Sequence, residues 1–249
     1  MEYTANSIDF LKGLETVRKR PTMYIGAVSG NPSDGLYRLL REAVDNAIDE
    51  YLAGFNDQLY IFYNTKTKET TVLDNGRGIP VEKNKKAQQN SLTLVFTQLH
   101  AGGKFDKQSY ATSSGMNGIG QKAIAALSNR LQVWSNNSKG KKWYTQIFEK
   151  GLIKSDVKQV TLPEPYKKLI KKTGSIVSWI PDETIFTDST NLDVPRLKRE
   201  LKDIQYLCPH LHIHIIIDAE EIEYYSENGL IELVTQDQEK DQIFIYNDN

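Results

Sequence analysis

Glu42, Asp45, Asn46 and Asp49 stand at i, i+3, i+4 and i+7, so a helix over residues 41–50 would place three carboxylates and one amide on a single face. Leu36, Leu40, Ala43, Val44, Ala47 and Tyr51 would take the opposite, buried face. Like charges at this spacing repel and weaken a helix, so something must offset them. A divalent cation with a polyphosphate is suited to that, because magnesium takes oxygen ligands from few protein groups and completes its shell with water and phosphate. Taken alone, the same pattern also fits the solvated face of a surface helix.

Two further segments carry possible chemistry. Asp74 closes a strand-like run and is followed by Asn75-Gly76-Arg77-Gly78-Ile79-Pro80. A carboxylate there can accept a hydrogen bond from an exocyclic amine, and Gly78 has no Cβ to obstruct a flat ring. Asp-Asn-Gly is equally a plain turn. Gly115-Met116-Asn117-Gly118-Ile119-Gly120 runs directly into a helical pattern, as a phosphate-binding loop does. It is neither a Walker A sequence nor a dinucleotide fingerprint in context. Gly102, Gly103 and Lys104 add pliable backbone and a cation within the same glycine-rich loop.

The elements that must position these residues can be read from periodicity and punctuation. Helices are predicted over 10–19 (ended by Pro21), 34–52 (Asp34 as N-cap, Gly54 as stop), 92–99, 121–128 and 194–206. Strands are predicted over 59–63, 70–73, 131–135, 143–149, 176–180 and 211–217. Residues 229–249 suggest a short helix or extended piece and a strand at 243–246. Hairpins mixed with crossovers predict an α/β layer fold with a mixed sheet.

Composition narrows the class. The chain has 249 residues, 39% hydrophobic and 25% charged, with formal net charge −1, so no global basic field points to nucleic acid. Arg18-Lys19-Arg20 is the densest basic run, and a solvated turn explains it as well. A lone cysteine, Cys208, excludes an intrachain disulfide. With no signal-peptide pattern and no long apolar run, the expectation is a cytoplasmic protein. His210, His212 and His214 alternate and would share one strand face; a metal site is conceivable there, and an ordinary strand face is the alternative.

The order of the motifs resembles the gyrase, chaperone, histidine-kinase and mismatch-repair (GHKL, or Bergerat) ATPase superfamily. Within it the chain is similar to the ATPase domain of type IIA DNA topoisomerases of the gyrase and topoisomerase IV kind. The resemblance rests on Leu11-Lys12-Gly13-Leu14-Glu15-Thr16-Val17-Arg18-Lys19-Arg20-Pro21, Met23-Tyr24-Ile25-Gly26, residues 44–50, residues 74–80 and Leu99-His100-Ala101-Gly102-Gly103-Lys104-Phe105. It implies an α/β sandwich with helices on one face of the sheet, ATP and Mg2+ as cofactors, and Glu42 as general base for the attacking water. It implies Asn46 as the magnesium ligand, with Asp49 beside it in the nucleotide site. Asp74 would bind the adenine amino group, helped by Gly78 and by Ser175, where the family pattern has threonine. Val44, Val72, Ile79 and Val95 would wall the pocket. Gly102, Gly103, Lys104, Gly115, Asn117, Gly118, Ile119 and Gly120 would hold the phosphates, and Arg77 would pair with Glu50.

The resemblance also implies an N-terminal dimerisation arm over 1–9 (with Tyr3 and Ile8), the ATPase domain over 10–225, and the start of a truncated transducer domain over 226–249. Its expected partners are a second copy of itself and a DNA-cleaving subunit of the gyrase A or topoisomerase IV C kind. DNA would be met through other domains, and little turnover is expected of this piece alone. Asn117 departs from the histidine usual in bacterial members. The turn at 137–140 replaces a segment that presents arginine to aminocoumarins, so such inhibitors are expected to bind weakly. A nucleotide-gated dimerisation module without useful turnover, and a chaperone or histidine-kinase ATPase, are the alternative readings.

Overall fold

The computed structural model describes residues 13–98, 118–137, 142–170 and 172–235. One mixed sheet organises them. In chain order the strands are β1 (Gln58–Tyr63), β2 (Thr70–Asp74), β3 (Ser128–Asn136), β4 (Trp143–Glu149), β5 (Leu152–Ile153), β6 (Lys158–Val160), β7 (Gly174–Pro181), β8 (His212–Ile217) and β9 (Glu220–Tyr224). Their spatial order is β5-β4-β3-β7-β2-β1-β8-β9, with β6 paired to β4. The β1–β8 pair is parallel, and the other pairs are antiparallel.

The helices are α1 (Leu14–Lys19), α2 (Thr22–Ile25), α3 (Asp34–Leu52), α4 (Ser91–Thr97), α5 (Gly120–Leu127), α6 (Tyr166–Leu169), α7 (Val194–Leu207) and α8 (Leu230–Thr235). The long helix α3 begins at the residue predicted to cap it, and its actual cap lies one residue earlier. Ser33, not Asp34, is the N-cap: its backbone is extended and its hydroxyl accepts from the Leu36 N–H at 3.3 Å. Asp34 instead meets Arg196 at 2.9 Å. At the other end Gly54 adopts φ +78, its N–H donates to the Tyr51 carbonyl and that of Phe55 to the Glu50 carbonyl. That is a Schellman closure, which only a residue tolerant of the left-handed region completes cheaply.

Alternation along the strands decides which side chains meet the helices. Leu59, Ile61, Val72, Leu131, Val133, Val177 and Trp179 join the main core with α1, α3, α4, α5 and α7. Leu73, Trp134, Ile176, Tyr60 and Phe62 point the other way and gather a second cluster with Leu162, Ile170, Tyr166 and Leu169. The expectation of helices on one face therefore holds for the main layer, while the short α6 region covers part of the back. The sequence did not signal α2, α6 or the short strands β5, β6 and β9. Ser128, expected to end a helix, opens β3. Among the described residues no helix is long and apolar enough to cross a membrane. The strand expected at 243–246 lies outside the described residues.

Candidate functional site

Register alone builds the floor of the candidate site. Val72 pairs with Val177, and Val177 with Val133, so three valines from β2, β7 and β3 form one rung on the helix-facing side. The next rung on the same side is Asp74, Ser175 and Ser135. A polar rung thus adjoins an apolar one on a surface otherwise devoted to the core. Asp74 is 6% exposed. Ser175 Oγ donates to Asp74 Oδ2, and the Gly76 N–H donates to Oδ1 at 2.9 Å. Burial pushes the Asp74 carboxyl up to about 6; the Ser175 and Gly76 donors resist the rise and the nearby Glu50 charge adds to it.

The turn after Asp74 is fixed by partners that sequence reasoning did not find. Ser135 Oγ accepts from the Ile79 N–H and donates to the Ile79 carbonyl, both at 2.7 Å. The buried Asn56 donates through Nδ2 to the Ala47 carbonyl of α3 at 2.9 Å, and its Oδ1 accepts from the Asn75 N–H at 3.1 Å. Gly78 lies at φ +72, and an added Cβ would fall 2.4 Å from the Asn136 carbonyl oxygen. Glycine is required here by close backbone packing; room for an approaching ring is a separate matter. Ser135 was detectable as the polar break in the inward series Leu131, Val133, Ser135. Asn56 carries no pattern that would have marked it.

Above this floor stands α3. The side chain of Glu42 reaches the start of α5: a Cβ on Gly120 would lie 2.1 Å from Glu42 Oε2 and 2.8 Å from Glu42 Cβ. Only glycine lets the two helices approach so closely. Gly118, at φ +58, turns the chain into α5, and Ile119 is its N-cap residue. Asn46 donates through Nδ2 to the Glu42 carbonyl, which makes its amide oxygen the end suited to a hard cation.

The charge repulsion expected on α3 is offset within the chain. Arg38 Nε donates to Glu42 Oε1 at 2.9 Å, and Arg41 Nη2 to Asp45 Oδ1 at 2.7 Å while Arg41 Nη1 lies 3.4 Å from Glu200. Asp45 is therefore tied towards α7, and Asp49, expected on a displayed face, is buried. Arg77 and Glu50 come together as expected: the guanidinium donates to both carboxylate oxygens at 3.0 and 2.8 Å, and the Arg77 N–H adds a third bond at 3.0 Å. The guanidinium also covers the Phe55 ring at 4.2 Å.

Val44 and Val72 are buried, and Ile79 and Val95 pack partly buried against the same core. Gly102, Gly103, Lys104, Gly115 and Asn117 lie outside the described residues, as do Tyr3, Ile8 and residues 138–140. Arg18 does not contribute to a basic surface: it turns inward to Asp182 at 2.6 Å and to the Ala126 carbonyl at 2.6 Å. His210 leaves the strand face expected for it; β8 begins at His212, and His210 sits at φ +67.

Residues 31–151 match the family described as "Histidine kinase-, DNA gyrase B-, and HSP90-like ATPase". The chain is 38% identical over 241 residues to the gyrase B protein of Spiroplasma citri, covering 94% of this chain and 36% of that protein. It is 41% identical over 235 residues to the gyrase B protein of Borreliella burgdorferi (92% of this chain, 35% of that one) and 39% over 248 residues to that of Enterococcus faecalis (98% and 37%). The chain thus spans little more than a third of the length of these relatives.

Proposed function

We propose, for a chain that belongs to the histidine kinase-, DNA gyrase B- and HSP90-like ATPase family, that it is the ATP-binding and ATP-hydrolysing domain of a type IIA DNA topoisomerase of the gyrase B kind. The observation that carries the reading is the polar rung Asp74–Ser175–Ser135 beside the valine rung Val72–Val177–Val133, on the sheet face that packs with α3. An apolar floor with one buried acceptor at its edge suits a flat, amine-bearing base.

In this reading Asp74 accepts from the adenine amino group, and the Ser175 hydroxyl holds the carboxylate oriented. Val44, Ile79 and Val95 close over the ring. Gly118, Ile119 and Gly120, with Gly102, Gly103, Lys104, Gly115 and Asn117, take the phosphates. Glu42 accepts the proton of the attacking water, which must lie within hydrogen-bond reach of its carboxylate. Asn46 would hold the magnesium ion, with Asp49 beneath it; the ion supplies charge neutralisation on the phosphates. Residues 1–9 as a dimerisation arm, 10–225 as the ATPase domain and 226–249 as the entry to a transducer domain belong to the same reading. So do ATP-driven pairing with a second copy, a DNA-cleaving partner subunit, action on DNA in the cytoplasm, weak aminocoumarin binding, and little turnover by this segment alone.

Calorimetric titration of a non-hydrolysable ATP analogue with Mg2+ tests it, in the wild type and in Asp74→Asn. Binding by the wild type, lost in the variant, is expected. Wild-type affinity should also fall as pH drops through about 6, where Asp74 takes up a proton and becomes a weaker, neutral acceptor. A variant that binds as the wild type does, or a wild type that does not bind, would overturn the adenine assignment.

A further inference from the structure

We propose that His212, His214 and Glu223 form a binding site for one divalent transition-metal ion, of the zinc type, on the back of the sheet. The site lies on the sheet face opposite the one that packs against α3 and is independent of the nucleotide reading. His212 and His214 are two apart on β8 and share a face. Register pairs His214 with Tyr60 of β1 and with Glu223 of β9, so this is the face that carries Tyr60 and Phe62, away from the helices.

Ligand atoms from the three side chains all lie within 4.8 Å of one another. Glu223 Oε1 accepts from His212 Nδ1 at 2.7 Å, a hydrogen bond whose proton a metal ion would displace, and lies 3.9 Å from His214 Nε2. Those separations bracket the ~3.3 Å edge of a tetrahedron with metal–ligand bonds of about 2.0–2.2 Å. Imidazole nitrogen with a single carboxylate selects zinc, nickel or copper over magnesium and calcium.

The site also has an outer shell. Glu221 Oε1 accepts from His214 Nδ1 at 2.9 Å, which places the proton on Nδ1 and turns the Nε2 lone pair towards Glu223. Tyr60 stacks on the His214 ring at 4.3 Å and 7°, fixing its plane. His212 stacks on Tyr225 at 4.4 Å and is the more exposed histidine, 40% against 14%. The two imidazoles lie within 13° of parallel, so closing the site requires the His212 ring to turn out of its stack. Three protein ligands leave the fourth position to water or to a donor from another molecule.

The test is calorimetric titration of Zn2+ into the whole chain, followed by EDTA reversal, in the wild type and in His212→Ala, Glu223→Gln and Glu221→Gln. These are exposed positions whose loss leaves the core intact. One saturable equivalent is expected in the wild type, a loss of more than tenfold in affinity for His212→Ala and Glu223→Gln, and a loss of roughly 10–100-fold for Glu221→Gln. Zn2+ should raise the unfolding temperature of the wild type and not that of His212→Ala. Absence of a saturable equivalent, or Zn2+ binding unchanged in the His212→Ala, Glu223→Gln double variant, would overturn the proposal.

Discussion

Asp74 and Asp182 are buried aspartates at opposite ends of the same antiparallel pair of strands, one closing β2 and the other just past β7. They are 6% and 1% exposed. Asp182 receives Arg18 at 2.6 Å and the Thr184 hydroxyl and N–H at 2.7 and 3.1 Å, with Lys150 at 3.9 Å. Burial acts to raise its carboxyl, but the Arg18 and Thr184 donors overcome it and hold it below the usual range. Asp74 has neutral donors, a hydroxyl and an amide, and rises to about 6. Burial is common to both, so the charge of the donors separates a structural latch from a carboxylate with capacity left for a ligand.

The largest effect should come from breaking the latch. Arg18→Met leaves Asp182 buried with only the Thr184 donors and the more distant Lys150 to answer its charge, and it cuts the link from α1 to the Ala126 carbonyl of α5. A loss of about 3–5 kcal/mol in urea unfolding is expected. Because the folded carboxyl is held below its ordinary 3.8, the stabilisation from Asp182 is fully present above that value and is lost as pH falls through the folded pKa.

Asp74→Asn should act with the opposite sign. A carboxyl raised from 3.8 to about 6 costs the folded state roughly 2–3 kcal/mol once ionised, so the variant should be more stable than the wild type above pH 6. The gain should shrink as pH falls from 6 towards 4, where the wild-type group is protonated in the folded state. Equal stabilities at pH 7 would mean that Asp74 is better solvated than its burial implies. Next in size, Asn56→Ala removes the amide joining α3 to the turn after Asp74 and should cost about 1–3 kcal/mol, measured by urea unfolding at pH 7.

These two aspartates also show what the sequence could and could not tell. Asp74 was legible because it ends a strand and precedes Gly76 and Gly78, and α3 was legible because its apolar period is unbroken over five turns. Asp182 was not: its partner Arg18 lies 164 positions away and reads locally as part of a basic turn. Glu42, Asp45 and Asn46 stay partly exposed on α3 as their spacing predicts, but Asp49 is buried, and the neutralisation of Glu42 and Asp45 by Arg38 and Arg41 of the same helix does not follow from the carboxylate spacing. Strands β5 and β6 are too short for alternation to register, and β9, largely exposed, sets Ile222 among glutamates and so carries no apolar run. Gly78 stands out in the sequence as a turn glycine, but the Asn136 carbonyl that demands it belongs to a strand nearly sixty residues on.

The smallest expected effect sharpens the comparison by holding the chemistry fixed and changing the environment. Arg38–Glu42, at 2.9 Å, is also an arginine–carboxylate pair, but its side chains are 60% and 21% exposed. Water then solvates each partner when the other is removed, and no buried charge is stranded. Arg38→Ala also keeps a good helix former in α3. Its stability should change by at most about 0.5 kcal/mol at physiological ionic strength, and by less as salt is raised. A cost approaching that of Arg18→Met would show that arginine–carboxylate contact itself, and not the burial of Asp182, supports the fold. A cost near zero leaves Glu42 free to be moved by a ligand without loss of the helix that carries it, which is the property a proton-accepting carboxylate at this position requires.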